Sequence, residues 1–168
     1  LFVEIQNDYC YIGALGGFGV YDIAEDPIKP PQIASCSEPF QFCHGLKPFG
    51  DYLYTAWNYD GFRIYDISNP SYPILHTHVR FPEPTDNVGG FWIVNEALCY
   101  IIQPYDIKDY PEQSPVLIVN SLTDPANPEE ISRIDLPIDY AFFSRGEVDG
   151  NDLILGDHNG QICKVDLS

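Results

Sequence analysis

The sequence predicts an all-β protein, a β-propeller of four-stranded blades about 42–55 residues long, with three complete blades and a partial fourth. Three observations predict it. First, a short alternating strand ending in a polar residue recurs. Residues 16–24 read GGFGVYDIA, 60–68 read DGFRIYDIS, 160–168 read GQICKVDLS, and 115–123 give a weaker copy, PVLIVNSLT. Second, a turn and a second alternating strand precede each copy: NDYCYIG at 7–13, GDYLYTA at 50–56, EALCYII at 96–102 and GNDLILG at 150–156. Third, a proline turn follows the motif, as NPSYP at 69–73, DPANP at 124–128 and, more loosely, DPIKP at 26–30. No segment longer than a turn carries an apolar stripe of helical period.

The elements follow in order. Asp22, Asp66 and Asp166 end three motif copies, and Ser121 stands in that place in the other. They fall roughly 45 to 55 residues apart. The longest interval holds an insertion, QPYDIKDYPEQS at 103–114. In the second unit the pattern predicts strands at 40–46, 52–57, 62–67 and 74–79. In the third it predicts 91–94, 98–102, 116–119 and 131–136. The first unit opens with a strand at 1–5, and the fourth supplies 140–144, 153–155 and 162–167. Blade limits are therefore 1–38, 39–84, 85–138 and 139–168. The motif aspartate is expected to accept hydrogen bonds from the N–H groups of the turn after it, and the prolines to stiffen that turn. The last copy stops where a proline turn and fourth strand are expected. Leu1 opens a chain that contains no methionine. Together these suggest an excised or processed piece, part of a larger propeller of roughly six to eight blades, with a closed four-bladed ring as the alternative.

The strand-and-turn units FRIYDISNPSYP (62–73), FGVYDIAEDPIKP (18–30), VLIVNSLTDPANP (116–128) and ICKVDLS (162–168) resemble the LVIVD-repeat family. That resemblance implies a β-propeller-like repeat protein, often extracellular or at the cell surface. It brings no catalytic residues to carry over.

Composition narrows the function. The chain has 168 residues, 45% of them hydrophobic and 14% aromatic, enough for a real core. Its 25 acidic and 8 basic residues give a net charge of -17, which repels phosphate backbones and argues against nucleic-acid binding. No apolar run is long enough for a membrane-spanning helix. Five cysteines are present, with no CxxC pair. Cys36 and Cys43 are close enough in sequence to form a bridge in an oxidising compartment, or each serves as a small buried hydrophobe.

Propeller ligands usually meet the loops around the central channel. There the candidate binding residues are His44 and Arg145, on or beside inner strands, with Asp60 and His158 in the loops between second and third strands. Tyr105, Asp106, Asp109 and Tyr110 lie in the acidic, aromatic insertion. A protein or carbohydrate partner fits such loops. His76 and His78 form an HTH pair which, on a regular strand, shares one face and can grip a metal only with a third ligand. Asp157-His158-Asn159-Gly160 reads as a hairpin turn. Its oxygens suit calcium, although the EF-hand spacing is absent. No cofactor is predicted, and no GxSxG, P-loop, HExxH or CxxCH motif occurs. The expected function is a non-catalytic extracellular or cell-surface module that scaffolds or binds a protein or glycan. One alternative is an enzyme or metal protein using His44, Asp60, Arg145 and His158 at the channel mouth. The other is a structural subunit assembling through open blade edges, which another subunit or the rest of the propeller would cover.

Overall fold

The computed structural model describes residues 1–57, 60–81, 87–103, 115–136, 145–156 and 160–168. The described residues contain strands and turns and no helix. They fall into two compact units, Leu1–Arg80 and Phe81–Ser168.

The first unit is a six-stranded antiparallel sheet in sequence order: β1 (Phe2–Gln6), β2 (Tyr9–Asp22), β3 (Gln32–Phe49), β4 (Tyr52–Trp57), β5 (Gly61–Asp66) and β6 (Ile74–Val79). Two of these strands are longer than the sequence pattern predicts. β2 runs through the loop expected at 15–17, yet it doubles back there, because Ile23 N–H donates to the Asp8 carbonyl at 2.9 Å. Its first arm pairs with β1 and its second with the start of β3. The turn between the arms needs positive φ, supplied by Gly16 (87°) and Gly17 (139°). β3 runs through the loop expected at 38–40. Its first part pairs with β2 and its second with β4, so one continuous strand serves two neighbours.

The second unit holds a four-stranded sheet of β7 (Asn87–Val94), β8 (Ala97–Gln103), β9 (Val116–Ser121) and β10 (Glu129–Asp135). Beside it is a three-stranded sheet of β11 (Arg145–Asp149), β12 (Asp152–Gly156) and β13 (Ile162–Asp166). β7 starts ahead of the strand expected at 91–94. The inner strand expected at 140–144 lies outside the described residues.

Burial follows position in the sheet. β5 is buried from Gly61 to Tyr65, on both faces, as a central strand must be, whereas the edge strands β6 and β10 are largely exposed. The first core gathers Tyr11, Phe18, Val20, Leu46, Leu53 and Trp57. The second gathers Val94, Leu117, Val119, Leu153 and Leu155. Each fully buried leucine contributes about 2 kcal/mol through the apolar area it withdraws from water.

The repeat is visible in the backbone itself. The hydrogen bond from Ile23 to Asp8 recurs from Ile67 to Asp51 (2.7 Å), Leu122 to Glu96 (3.0 Å) and Leu167 to Asn151 (2.9 Å). Each closes the open end of a hairpin between a unit's second and third strands. The residue before each acceptor takes positive φ: Asn7 54°, Gly50 57°, Asn95 47° and Gly150 62°. The motif aspartates act as expected. The Asp66 carboxylate accepts from the Ser68 N–H at 2.8 Å, Asp166 from Ser168 at 2.9 Å, and Asp22 from Ala24 and Glu25. In the third copy the Ser121 hydroxyl takes the same place, accepting from Thr123 N–H at 3.2 Å.

Hydrogen bonds from the Ser68 side chain and backbone hold the Asp66 carboxyl below its ordinary range. A lowered folded-state value means that this contribution is fully present above the ordinary carboxylate range and is lost as pH falls through the lowered value. Asp66→Ala is therefore expected to cost about 1 kcal/mol near neutrality, with the gap from wild type closing in acid. Urea titrations at several pH values measure it, and a gap that does not change with pH rules out the carboxylate as its source. A second expectation concerns Gly61, where a Cβ would lie 2.0 Å from the Val79 carbonyl oxygen at φ +70°, whereas Gly50 faces open space. Gly61→Ala is expected to destabilise by more than roughly 2 kcal/mol and Gly50→Ala by about 1 kcal/mol, read by the same titration.

Candidate functional site

The site grows from the turn between β4 and β5. Asp60 ends that turn and Arg63 lies three residues into β5. Both are charged and buried, exposed to only 6% and 7%. Burying such a pair is costly unless every lone pair and proton finds a partner, and the neighbouring strands supply them. Arg63 Nη2 donates to Asp60 Oδ2. Arg80 Nη2 reaches Asp60 Oδ1 at 2.8 Å, and His78 Nε2 lies 3.3 Å from the same oxygen. His78 Nε2 is also 2.9 Å from the Asp60 backbone carbonyl, an acceptor to which a protonated Nε2 donates.

On its other side Arg63 Nη1 donates to Glu38 Oε1 at 2.7 Å and lies 3.5 Å from the Tyr65 hydroxyl. The guanidinium stacks over the Trp57 ring, 4.7 Å from its centre. Trp57 Nε1–H donates to the Thr55 hydroxyl, which donates to the Arg63 carbonyl. Burial works against the Arg63 charge. The hydrogen bonds to Tyr65, Asp60 and Glu38 outweigh it and hold the guanidinium above its ordinary range. Burial also pushes the Tyr65 phenol up. Arg63 Nε is buried with no partner among the described residues, as are Gln41 Oε1 and Asn120 Nδ2.

The register explains the convergence. Arg63 stands opposite Thr55 on β4 and opposite His78 on β6, so all three share one face. Comparison between the units shows that the other copies lack this pair. Counting back from the motif's last polar residue, Gly16, Pro115 and Gly160 hold the place of Asp60, and Gly19, Ile118 and Cys163 that of Arg63. Gly17 meets the Cys36 carbonyl as Gly61 meets that of Val79, so Ser35 and Ser37 of the first unit correspond to His78 and Arg80.

The other expected residues fall differently. His76 and His78 do not share a face. Ile64 pairs with Thr77 and Tyr65 with Leu75, so a bulge at His76 breaks the alternation on which the shared face rested. His78 turns to Asp60, while the His76 ring lies edge-on to Tyr52, 6.0 Å between centres. Among the described residues no group of three or more His, Cys, Asp and Glu side chains is arranged to hold a metal ion. His44 lies on β3 and Arg145 opens β11, and only their backbone positions are described. Tyr105, Asp106, Asp109, Tyr110 and His158 lie outside the described residues. Cys36 and Cys43 are free thiols, as are the other three cysteines. Cys36 Sγ points to the Tyr65 hydroxyl at 3.4 Å, and Cys43 Sγ to the Gly45 carbonyl at 3.5 Å. Burial pushes the Cys43 thiol up to about 12, so it is a packed hydrophobe rather than a reactive thiol.

These features define the class: an all-β repeat protein in which one hairpin-and-turn unit recurs in antiparallel sheets, with a charged cluster built into one copy. More particularly, the chain carries an LVIVD repeat, matched over residues 45–80, which spans β4, β5, β6 and most of the cluster. No curated protein matches the chain in sequence. Among solved structures it is similar to the computationally designed Ika4 protein, with a TM-score of 0.66 and 8% identity over 99% of this chain and 89% of that one. It is also similar to Hsv2 of Kluyveromyces lactis (TM-score 0.53, 13% identity, 96% of this chain and 42% of that one). A putative 6-phosphogluconolactonase of Bacteroides fragilis gives a TM-score of 0.52 at 11% identity, over 99% of this chain and 70% of that one. At such identities the likeness is one of fold alone.

The cluster makes a sharp stability prediction. Arg63→Ile alone takes the shared cation from Asp60, which keeps Arg80 and His78, and from the partly exposed Glu38, and is expected to cost about 3 kcal/mol. Adding Asp60→Gly to it, which installs residues that other units carry at both places, is expected to recover most of that loss. Guanidinium unfolding of the two variants decides. A double variant as unstable as the single one means that the fold does need the pair.

Proposed function

We propose that the chain is a β-propeller, or a part of one, whose blades are the units bounded at 1–38, 39–84, 85–138 and 139–168. In this reading it serves as a non-catalytic binding module of an extracellular or cell-surface protein, with a protein or glycan as partner. The observation that carries the proposal is the Asp60–Arg63 pair. It is a buried charge pair in one unit, at a position that the other units fill with glycine, proline, isoleucine or cysteine. Buried ion pairs generally do not add stability over well-packed apolar residues, so one confined to a single copy points to a role other than stability. The arrangement favours binding over chemistry. Both Asp60 oxygens are already engaged by Arg63, Arg80 and His78, and no nucleophile stands beside them among the described residues. The acidic surface, net -17, favours partners that are neutral or basic over polyanions.

The test is an array of immobilised glycans and peptides probed with the folded chain and with the Asp60→Gly/Arg63→Ile double variant. The expected outcome is a partner held by the wild type and at least tenfold less by the double variant. Turnover of an arrayed compound by the wild type, abolished in the double variant, would replace the binding module with an enzyme.

A further inference from the structure

We propose that the Asp60–Arg63 pair is a hydroxyl-binding subsite and that its ligand is a glycan. This deepens the binding-module reading and rests on it. Arg63 Nε is the starting observation. It is a donor on a side chain that is more than nine-tenths buried, and it has no partner among the described residues. Such a donor is costly to leave without a partner, so a group that fills it is favoured in binding. Nε shares one edge of the planar guanidinium with Nη2, and Nη2 is the nitrogen that holds Asp60. A group seated against this edge meets a donor and a carboxylate acceptor side by side. A hydroxyl satisfies both at once, accepting from Nε–H and donating to an Asp60 oxygen. A carboxylate or phosphate would have to sit against Asp60, and an ammonium against Arg63, so each is repelled by one half of the pair.

Two of the pair's partners are long side chains that reach it from the surface. Arg80 holds Asp60 Oδ1 but is 73% exposed, and Glu38 holds Arg63 Nη1 while 37% exposed. In each pair only the outer partner is exposed, so Arg80 can turn out to solvent and yield its place on Asp60 Oδ1, which His78 also holds, to a hydroxyl. Arg63 itself is fixed by Trp57 and Tyr65, so the buried floor of the subsite stays in place while its rim opens.

The probes are glucose, galactose, mannose and N-acetylglucosamine, each titrated into the folded chain, with inorganic phosphate and acetate as charged comparisons. The readout is the NMR signal of the Trp57 indole N–H, which lies directly beneath Arg63. The expected result is a saturable shift with at least one sugar and none with phosphate or acetate. The shift should be lost in Arg63→Lys, which keeps the positive charge but has no Nε–H beside a second donor. The Asp60→Gly/Arg63→Ile variant gives a second check through the indole signal of Trp57, with the unmoved Trp92 signal reporting that the chain is folded. No shift with any sugar overturns the proposal, as does a shift that survives in Arg63→Lys or one produced by phosphate or acetate. An arrayed peptide that needs the pair would sustain the binding module and overturn the glycan. An array with no partner, set against a sugar shift that meets these criteria, would show the subsite to be real and the proposed partner surface to be wrong.

Discussion

One backbone hydrogen bond organises each unit. The N–H of the residue after the motif's polar end reaches the carbonyl at the start of the preceding strand, as Ile67 reaches Asp51. In each unit the chain enters the second strand through a positive-φ residue just before the acceptor, and the bond forms even in the third unit, where the insertion at 103–114 joins the hairpin's two strands. The glycines and asparagines at those places are residues that take this conformation readily. Once the hairpin is closed, the polar end of the motif is fixed beside the next turn and captures its N–H groups. The turn in turn aims the following strand. Where that strand returns, its carbonyl comes so close to Gly61 that no side chain fits. The fold therefore rests on a short chain of local geometric demands, met once per unit.

Such demands are what a sequence displays most plainly. β4 and β6 begin and end where alternation and the Gly and Pro signals place them, and the motif aspartates make the bonds expected of them. The extra length of β2 and β3 was not legible, because it comes from pairing with neighbours: β3 joins β2 through its first part and β4 through its second, a register that local pattern does not display. The His76 bulge was hidden for a related reason. Strict alternation assumes an unbroken ladder, and nothing in HTH itself reveals that Tyr65 pairs with Leu75.

The candidate site was half legible. Asp60 stood out as a loop carboxylate, but Arg63 sat inside a strand and read as part of the motif. The missed signal was comparative. Laying the four motif copies over one another puts an arginine where glycine, isoleucine and cysteine otherwise stand, which marks a buried charge before any coordinates are known. Glu38, His78 and Arg80 arrive from two other strands, and only the register shows that they converge.

Chains built from near-identical units risk pairing a strand with the wrong copy of its partner. The charges around Arg63 bear on that risk. In the native sheet Arg63 faces His78, whereas the matching position on β10, opposite Ile118, is Arg133. A misassembled sheet with β10 laid against β5 would set two arginines side by side and leave Asp60 without His78 and Arg80. Like charges directly opposite one another disfavour a strand pair. The single odd unit thus gives β5 an address, a difference by which the folding chain can tell one of its repeats from another.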